Sequence, residues 1–169
     1  MAPRTDSFDL GRFGLRPGEG RRIDADVALE DLVLGGQRYA GGTVGVRVDA
    51  SRTTAGWALR LRFVTTLRGP CMRCLEDAGR DVEVDVREVD QPGGGDELAS
   101  PYLDGDELDL RSWVRDALAL ALPSQVLCRD DCRGLCPECG VNLNAAGPEH
   151  RHERPPDPRW AKLSELRFD

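Results

Sequence analysis

Lysine is almost missing from this chain of 169 residues, because Lys162 is the only lysine among 23 basic residues. Aromatic residues are scarce as well, at 5%. The sequence contains no apolar run of about eighteen residues, so we expect no transmembrane helix. Its first residues lack the apolar segment of a secretory signal, so we expect a cytoplasmic protein. Arginine in place of lysine, with much alanine, glycine and proline, suggests the GC-rich coding bias of a bacterium.

The rest of the composition is typical of a globular protein with one hydrophobic core. Hydrophobic residues make up 40% and charged residues 31% of the chain, which excludes a wholly disordered or collagen-like protein. The length predicts a single domain, with room for an appended module. Because thiols stay reduced in the cytoplasm, the six cysteines indicate metal or redox chemistry and not disulfides.

The net charge of −7 hides an uneven distribution. Residues 76–110 contain thirteen acidic residues against Arg80 and Arg87, whereas residues 1–75 contain twelve arginines and eight acidic residues. Such asymmetry favours separate surfaces with different partners. A solvated acidic loop that keeps the protein soluble is the alternative.

Alternating apolar and polar residues predict strands at 44–48, 57–63 and 82–86, with a less regular candidate at 27–34. A period of two gives each strand one apolar and one charged face, as in an antiparallel sheet with one solvated side. Glycine-rich turns separate these segments.

A helical apolar stripe follows in the second half of the chain. Asp109 is a suitable N-cap, and Pro123 requires the helix to end at or before Leu122. A further short helix is expected after Pro158. The stripe consists of Leu110, Trp113, Val114, Ala117, Leu118 and Ala121.

These patterns predict an α+β fold in which one amphipathic helix covers an antiparallel β-sheet, with a small Cys-rich, zinc-binding C-terminal region. Residues 1–90 would form the sheet-rich part of a single domain. Residues 91–107 would form an acidic flexible linker. Residues 108–169 would supply the helix and the Cys-rich tail that packs on the sheet.

The cysteines are the main candidates for a functional site in this sequence. Cys136-Pro-Glu-Cys139-Gly140 is typical of a zinc knuckle, in which two thiolates share one cation and glycine relieves the tight turn. Tetrahedral zinc needs four ligands. The short spacing favours one local centre that combines this pair with Cys128 and Cys132, and the alternative is completion across the fold. The further candidate ligands are Cys71, Cys74, His150 and His152.

Other interpretations of these residues stay open. A dithiol redox pair needs a helix that starts at the motif, whereas Cys71 and Cys74 follow a predicted strand. An iron–sulfur cluster also uses four cysteines. For His150 and His152 the alternative is an exposed charged tail.

Taken together, several segments resemble the YceD family, whose members are called large ribosomal RNA subunit accumulation proteins. The resemblance covers about residues 65–169 and implies a factor that supports accumulation or processing of large-subunit (23S) ribosomal RNA. Many family members have a C-x-C where this chain has His150-Arg-His152, which favours both histidines as ligands. The segments are Cys71-Met-Arg-Cys74-Leu75, the stretch from Leu108 to Pro123, Cys128 to Asn144, and Asp157-Pro158-Arg159-Trp160.

Neither a phosphate-binding loop nor a nucleophile set is recognisable, so we expect no enzyme. The expected partners are large-subunit ribosomal RNA or its precursor particles. The alternative is an adaptor that docks a basic ribosomal protein without touching RNA. Planar arginine side chains suit RNA contacts, and the candidates are Arg60, Arg62, Arg73, Arg129, Arg133 and Arg151.

Overall fold

Long strands dominate the computed structural model, which describes residues 6–152. Four of them form one antiparallel sheet, and five short strands form a two-stranded and a three-stranded sheet. The helix predicted after Pro158 lies outside the described residues. In chain order the strands are β1 (Phe8–Asp9), β2 (Gly20–Leu29), β3 (Leu32–Leu34), β4 (Gln37–Tyr39), β5 (Gly42–Arg52), β6 (Trp57–Pro70), β7 (Asp77–Asp90), β8 (Leu103–Asp104) and β9 (Glu107–Leu108).

The antiparallel sheet with one solvated face is confirmed. Its strand order is β2-β5-β6-β7. Alternate residues such as Val48, Leu61 and Val84 are buried on the inner face, while arginines and acidic residues occupy the outer face. The irregular candidate at 27–34 proves to be the end of β2 and the whole of β3.

One α-helix is present within residues 6–152, α1 (Leu110–Ala121), and it has the bounds that the sequence predicts. The Ser112 N–H donates to the Asp109 side chain at 3.0 Å, so Asp109 is the N-cap. The helix packs against β2 and β7, the two edge strands of the sheet, and covers the inner face. Within the described range, no helix is long and apolar enough to cross a bilayer.

Residues 91–107 include β8 and the start of β9, which pairs with both β8 and β1, and this differs from the predicted flexible linker. The Ser100 N–H donates to the buried Asp90 carboxylate at 3.0 Å. The Trp57 indole N–H donates to Asp106 at 2.8 Å. Sequence patterns do not reveal such order, because these short strands are held by partners distant in the chain.

Candidate metal centres

Two turns of the chain share one backbone conformation: a first knuckle, residues 71–76, and a second knuckle, residues 136–141. In each, the N–H of the first cysteine donates to the carbonyl five residues later, at 2.7 and 2.8 Å. The N–H four residues later donates back to the carbonyl of that cysteine, at 3.0 and 2.9 Å. Both knuckles therefore present two thiols from one tight turn.

The fifth position of each knuckle is left-handed. Gly140 has φ 73°, as its glycine predicts, but the matching residue of the first knuckle is Leu75 with φ 62°. Leu75 is the only non-glycine residue with positive φ in the described part of the chain. A Cβ atom in this conformation approaches the following carbonyl oxygen and costs about 1–2 kcal/mol.

Replacing Leu75 by glycine should therefore stabilise the protein. The Leu75 side chain is 55% exposed, so little burial is lost. Relief of the strain stabilises the folded state, whereas the greater flexibility of glycine stabilises the unfolded state. The free energy of unfolding should therefore rise by about 0.5–1 kcal/mol. Urea unfolding at constant metal content measures it. Leu75→Ala keeps Cβ and should give no gain, and a less stable Leu75→Gly variant would contradict the strain argument.

The first centre combines the first knuckle with a segment that follows α1. The sulfurs of Cys71, Cys74, Cys128 and Cys132 all lie within 4.8 Å of one another. Cys71 Sγ lies 3.8 Å from Cys132 Sγ, and Cys74 Sγ lies 3.6 Å from Cys128 Sγ. A tetrahedral ion with metal–sulfur bonds of about 2.3 Å spaces its sulfurs about 3.8 Å apart. The four thiols therefore fit a single ion.

The second centre combines Cys136 and Cys139 with His150 and His152, whose ligand atoms also lie within 4.8 Å of one another. Cys139 Sγ lies 3.6 Å from His150 Nε2, and the two histidine Nε2 atoms are 3.1 Å apart. A tetrahedral centre with one ion requires about 3.6 Å and about 3.3 Å for these pairs. This set also fits one metal ion.

Glu138, inside the second knuckle, contacts the opposite side of one imidazole. Its Oε2 lies 3.4 Å from His152 Nδ1. A carboxylate at the second ring nitrogen fixes the tautomer of a metal-binding histidine and turns Nε2 toward the ion. The contact therefore supports His152 as a ligand.

The prediction of one local centre made of Cys128, Cys132, Cys136 and Cys139 is wrong, because the structure divides these residues between two groups. Long-range hydrogen bonds explain why Cys128 and Cys132 lie with the first knuckle and not with the second. The Met72 N–H donates to the Val126 carbonyl at 2.9 Å, and this holds the segment after α1 against the first knuckle.

The pKa values of the four thiols of the first centre shift in both directions: those of Cys71 and Cys132 are lowered, and those of Cys74 and Cys128 are raised. Burial alone would raise the pKa of Cys71, but N–H groups of Cys74, Arg73 and Cys128 bring it down to about 6. Burial raises the pKa of Cys74, whereas the Asn144 amide lowers the pKa of Cys132. Without a cation some of these thiols keep their protons, and a bound cation would favour deprotonation of all four.

In the second centre the pKa of Cys136 falls to about 6, chiefly through its hydrogen bond with His150 and then through backbone N–H groups of Cys139 and Glu138. Hydrogen bonds that favour a thiolate also prepare it as a metal ligand. Neither knuckle begins a helix in the described structure, so the setting required for a thioredoxin-like redox pair is missing at both.

Asn144 and Arg73 support the first centre, and sequence analysis did not assign these roles. The Asn144 amide donates to Cys132 Sγ at 3.4 Å. Arg73 donates to the Cys132 carbonyl at 3.0 Å and to the Gln125 side chain at 3.1 Å. Arg73, a predicted RNA contact, is thus engaged in holding the centre together.

The structure places the other predicted RNA contacts in two regions. Arg60 and Arg62 lie on the outer face of the sheet and form ion pairs with Asp85 and Asp49. The remaining three flank the metal centres. Arg129 contacts the Asn144 side chain and Asp131, whereas Arg133 and Arg151 are exposed and form no ion pair with a described residue.

Comparison with known proteins gives the family. The model of the family described as large ribosomal RNA subunit accumulation protein YceD matches residues 59–167, which include every residue of both centres. The chain belongs to the YceD family. The family description gives it a ribosome-related role.

Relatives of this YceD protein come from bacteria and a plant. An uncharacterized protein of Mycobacterium tuberculosis is 33% identical over 174 residues, covering 95% of this chain and 80% of the relative. One of Mycobacterium leprae is 34% identical over 187 residues, covering 94% and 76%. A chloroplastic YCED homolog 1 of Zea mays, named for large ribosomal RNA subunit accumulation, is 32% identical over 76 residues, covering 45% and 22%. No solved structure matches the chain.

Proposed function

We propose that this YceD protein is a non-enzymatic factor that supports accumulation and processing of large-subunit (23S) ribosomal RNA in the bacterial cytoplasm. The observation that carries the proposal is the family match across both knuckles and α1. Among residues 6–152 and outside the metal centres, the carboxyl groups with lowered pKa are Asp49, Asp85 and Asp116, whose pKa is lowered chiefly by hydrogen bonds from Arg22, Arg60 and Arg115. Such surface ion pairs are no sign of a catalytic acid or base.

Zinc is the metal that we propose for both centres. Each centre supplies four sulfur or nitrogen ligands with no position left for water or substrate, as in structural zinc sites. The first centre would join the turn after β6 to the segment after α1. The second would close residues 136–152. Bound zinc supplies folding free energy to these segments.

We propose direct RNA contact through Arg133 and Arg151, with Arg129 beside them. Exposed guanidinium groups without an acidic partner are available to bind phosphate oxygens. Their positions beside the two centres would give them a rigid support. Arg60 and Arg62 are less suited to phosphate binding, because Asp85 and Asp49 already neutralise them.

Charge reversal tests this surface. The Arg133→Glu/Arg151→Glu variant should bind large-subunit RNA fragments about tenfold more weakly, and its dependence of log K on log salt should flatten by about one to two units. Its metal content should not change, because neither residue is a ligand. Arg12→Glu/Arg16→Glu makes the same charge change elsewhere and serves as the control. Equal losses in both variants would contradict a specific surface.

The alternative proposal is an adaptor that docks a basic ribosomal protein without RNA contact. It is favoured by exposed acidic residues in the 76–110 segment that form no ion pair with a described residue. Sedimentation of lysate and pull-down of large-subunit precursors decide between the two. Association that survives nuclease treatment, with no binding to purified RNA, would favour the adaptor. These acidic residues include Asp77, Glu83, Asp96, Glu97, Asp104 and Glu107.

A further inference from the structure

The central pair of strands separates along part of its length. The β5–β6 ladder stops at the Arg47–Arg62 pair, and the next cross-strand bridge joins Ala40 to Arg68. Between these points β5 pairs only with β2, and β6 pairs only with β7. The sheet therefore has a split that is closed at both ends. The residues without a partner across it are 42–46 and 63–67.

Two adjoining hollows of about 320 and 410 Å³ follow the split on the outer face and share Gly45 and Val64. We call them together the sheet hollow. A Cβ atom on Gly45 would meet only Asp26 Oδ1, at 3.5 Å, and no atom of β6. Val64 is 61% exposed beside it. The absence of a side chain at Gly45 therefore keeps the hollow open.

At one end of the sheet hollow, a hydrogen-bond donor lies near hydrogen-bond acceptors. Arg62 Nε is buried without a hydrogen-bond partner, and a buried donor of this kind is costly unless a ligand or water accepts from it. The carboxylates of Asp26 and Glu83 line the same end and form no ion pair with a described residue. By contrast, Asp24 and Asp85 in the same wall pair with Arg47 and Arg60.

The other end of the sheet hollow carries donors without acidic partners. Arg68 is exposed and forms no ion pair with a described residue, and Thr43, on the outer face of β5, lines the same hollow. Guanidinium and hydroxyl groups are typical partners of phosphate oxygens. The sheet hollow thus has a base-sized polar end and a phosphate-binding end.

We propose that the sheet hollow binds one unstacked guanosine nucleotide of single-stranded RNA, which rests on the proposed role in ribosomal RNA accumulation. Guanine alone presents adjacent N–H donors on its Watson–Crick edge, which one carboxylate can accept together, and beside them the O6 acceptor for Arg62 Nε. Asp26 and Glu83 lie on opposite walls of the hollow, and either can supply that carboxylate. Single-stranded RNA offers unstacked bases for such recognition. The volumes lie within the range of about 300–1,000 Å³ that is usual for ligand sites.

Fluorescence anisotropy with labelled uridine heptamers that carry one central guanosine or adenosine tests the proposal. The wild-type protein should bind the guanosine heptamer about tenfold more tightly. Gly45→Val should reduce this preference to less than about twofold, because valine fills the hollow while suiting a strand position with free space. Ser51→Val, on the same strand and face but outside the hollow, should keep the preference.

A second variant separates base recognition from bulk charge. Asp26→Asn/Glu83→Gln makes the protein less negative, which should strengthen non-specific RNA binding. The proposal predicts the opposite for the guanosine heptamer, which should bind about tenfold more weakly, because an amide offers a donor where guanine needs an acceptor. Tighter binding of that heptamer would overturn the proposal.

The failure of this proposal can be told from failure of the proposed function. Equal wild-type affinity for both heptamers, with salt-dependent binding to large-subunit RNA retained, would overturn the guanosine site alone. A preference that persists in Gly45→Val would overturn it as well. A wild-type protein that binds no RNA and does not sediment with large-subunit precursors would overturn both.

Discussion

Replacing Cys71 and Cys74 by serine should remove one of two bound zinc ions and strongly destabilise the protein. Both thiols are nearly inaccessible, at 0% and 3% exposure, and belong to the hydrophobic core. A structural zinc ion contributes about 10–16 kcal/mol of apparent binding free energy. Loss of even about 4 kcal/mol of this should lower the thermal midpoint by about 10 °C in a chain of this size.

Elemental analysis and calorimetry of protein purified without chelator measure both effects. Cys136→Ser/Cys139→Ser is the matched control. It should also remove one ion, but it should leave the main thermal transition within about 3 °C, because its ligands close only a local segment. Loss of both ions from either variant would contradict two independent centres. Iron with visible absorbance, or wild-type protein without metal, would contradict zinc.

Complete removal of metal under reducing conditions should release the chain from about Pro123 onward and preserve the sheet. The core beneath α1 consists of apolar side chains such as Leu61, Trp113 and Leu118, which need no ion. Trypsin should therefore cut after Arg129 and Arg133 at least about 100-fold faster, since local opening governs cleavage. Far-ultraviolet circular dichroism should keep its strand signal.

Arginines of the sheet are the internal control for that experiment. Arg47 and Arg60 lie in the long ladders of β5 and β6 and should remain protected from trypsin. Returning zinc should restore protection after Arg129 and Arg133. Simultaneous cleavage in the sheet would contradict an independent core and would make the first centre necessary for the whole domain.

Local rules predict some elements of this fold accurately. The helix bounds follow from the Asp109 cap and from Pro123, since both act within one turn of the chain. Strand lengths do not follow in the same way. β6 continues to Pro70 through Thr65 and Thr66, where the alternation of apolar residues weakens, because its whole length is paired with β7.

In the candidate metal centres too, the local features can be predicted from the sequence and the long-range contacts cannot. Cysteine spacing identifies both knuckles, because each is a local turn. It does not identify their partners, since contacts such as Met72 to Val126 depend on the finished fold. Ion pairing of Arg60 with Asp85 is equally hidden, because it depends on the strand register. In the amino-acid sequence, only the glycine at position 45 indicates the split between β5 and β6.

The two centres also differ in the length of chain that each must close. Ligand pairs of the first centre are 54 and 61 residues apart in sequence, whereas Cys139 and His150 of the second are 11 residues apart. Closing the longer loops has the higher entropy cost, and their ligands meet only when β6, β7 and α1 are in place. During synthesis, a metal ion would therefore bind at the second centre while the chain is still nearly unfolded, whereas it would bind at the first centre only after the sheet had assembled.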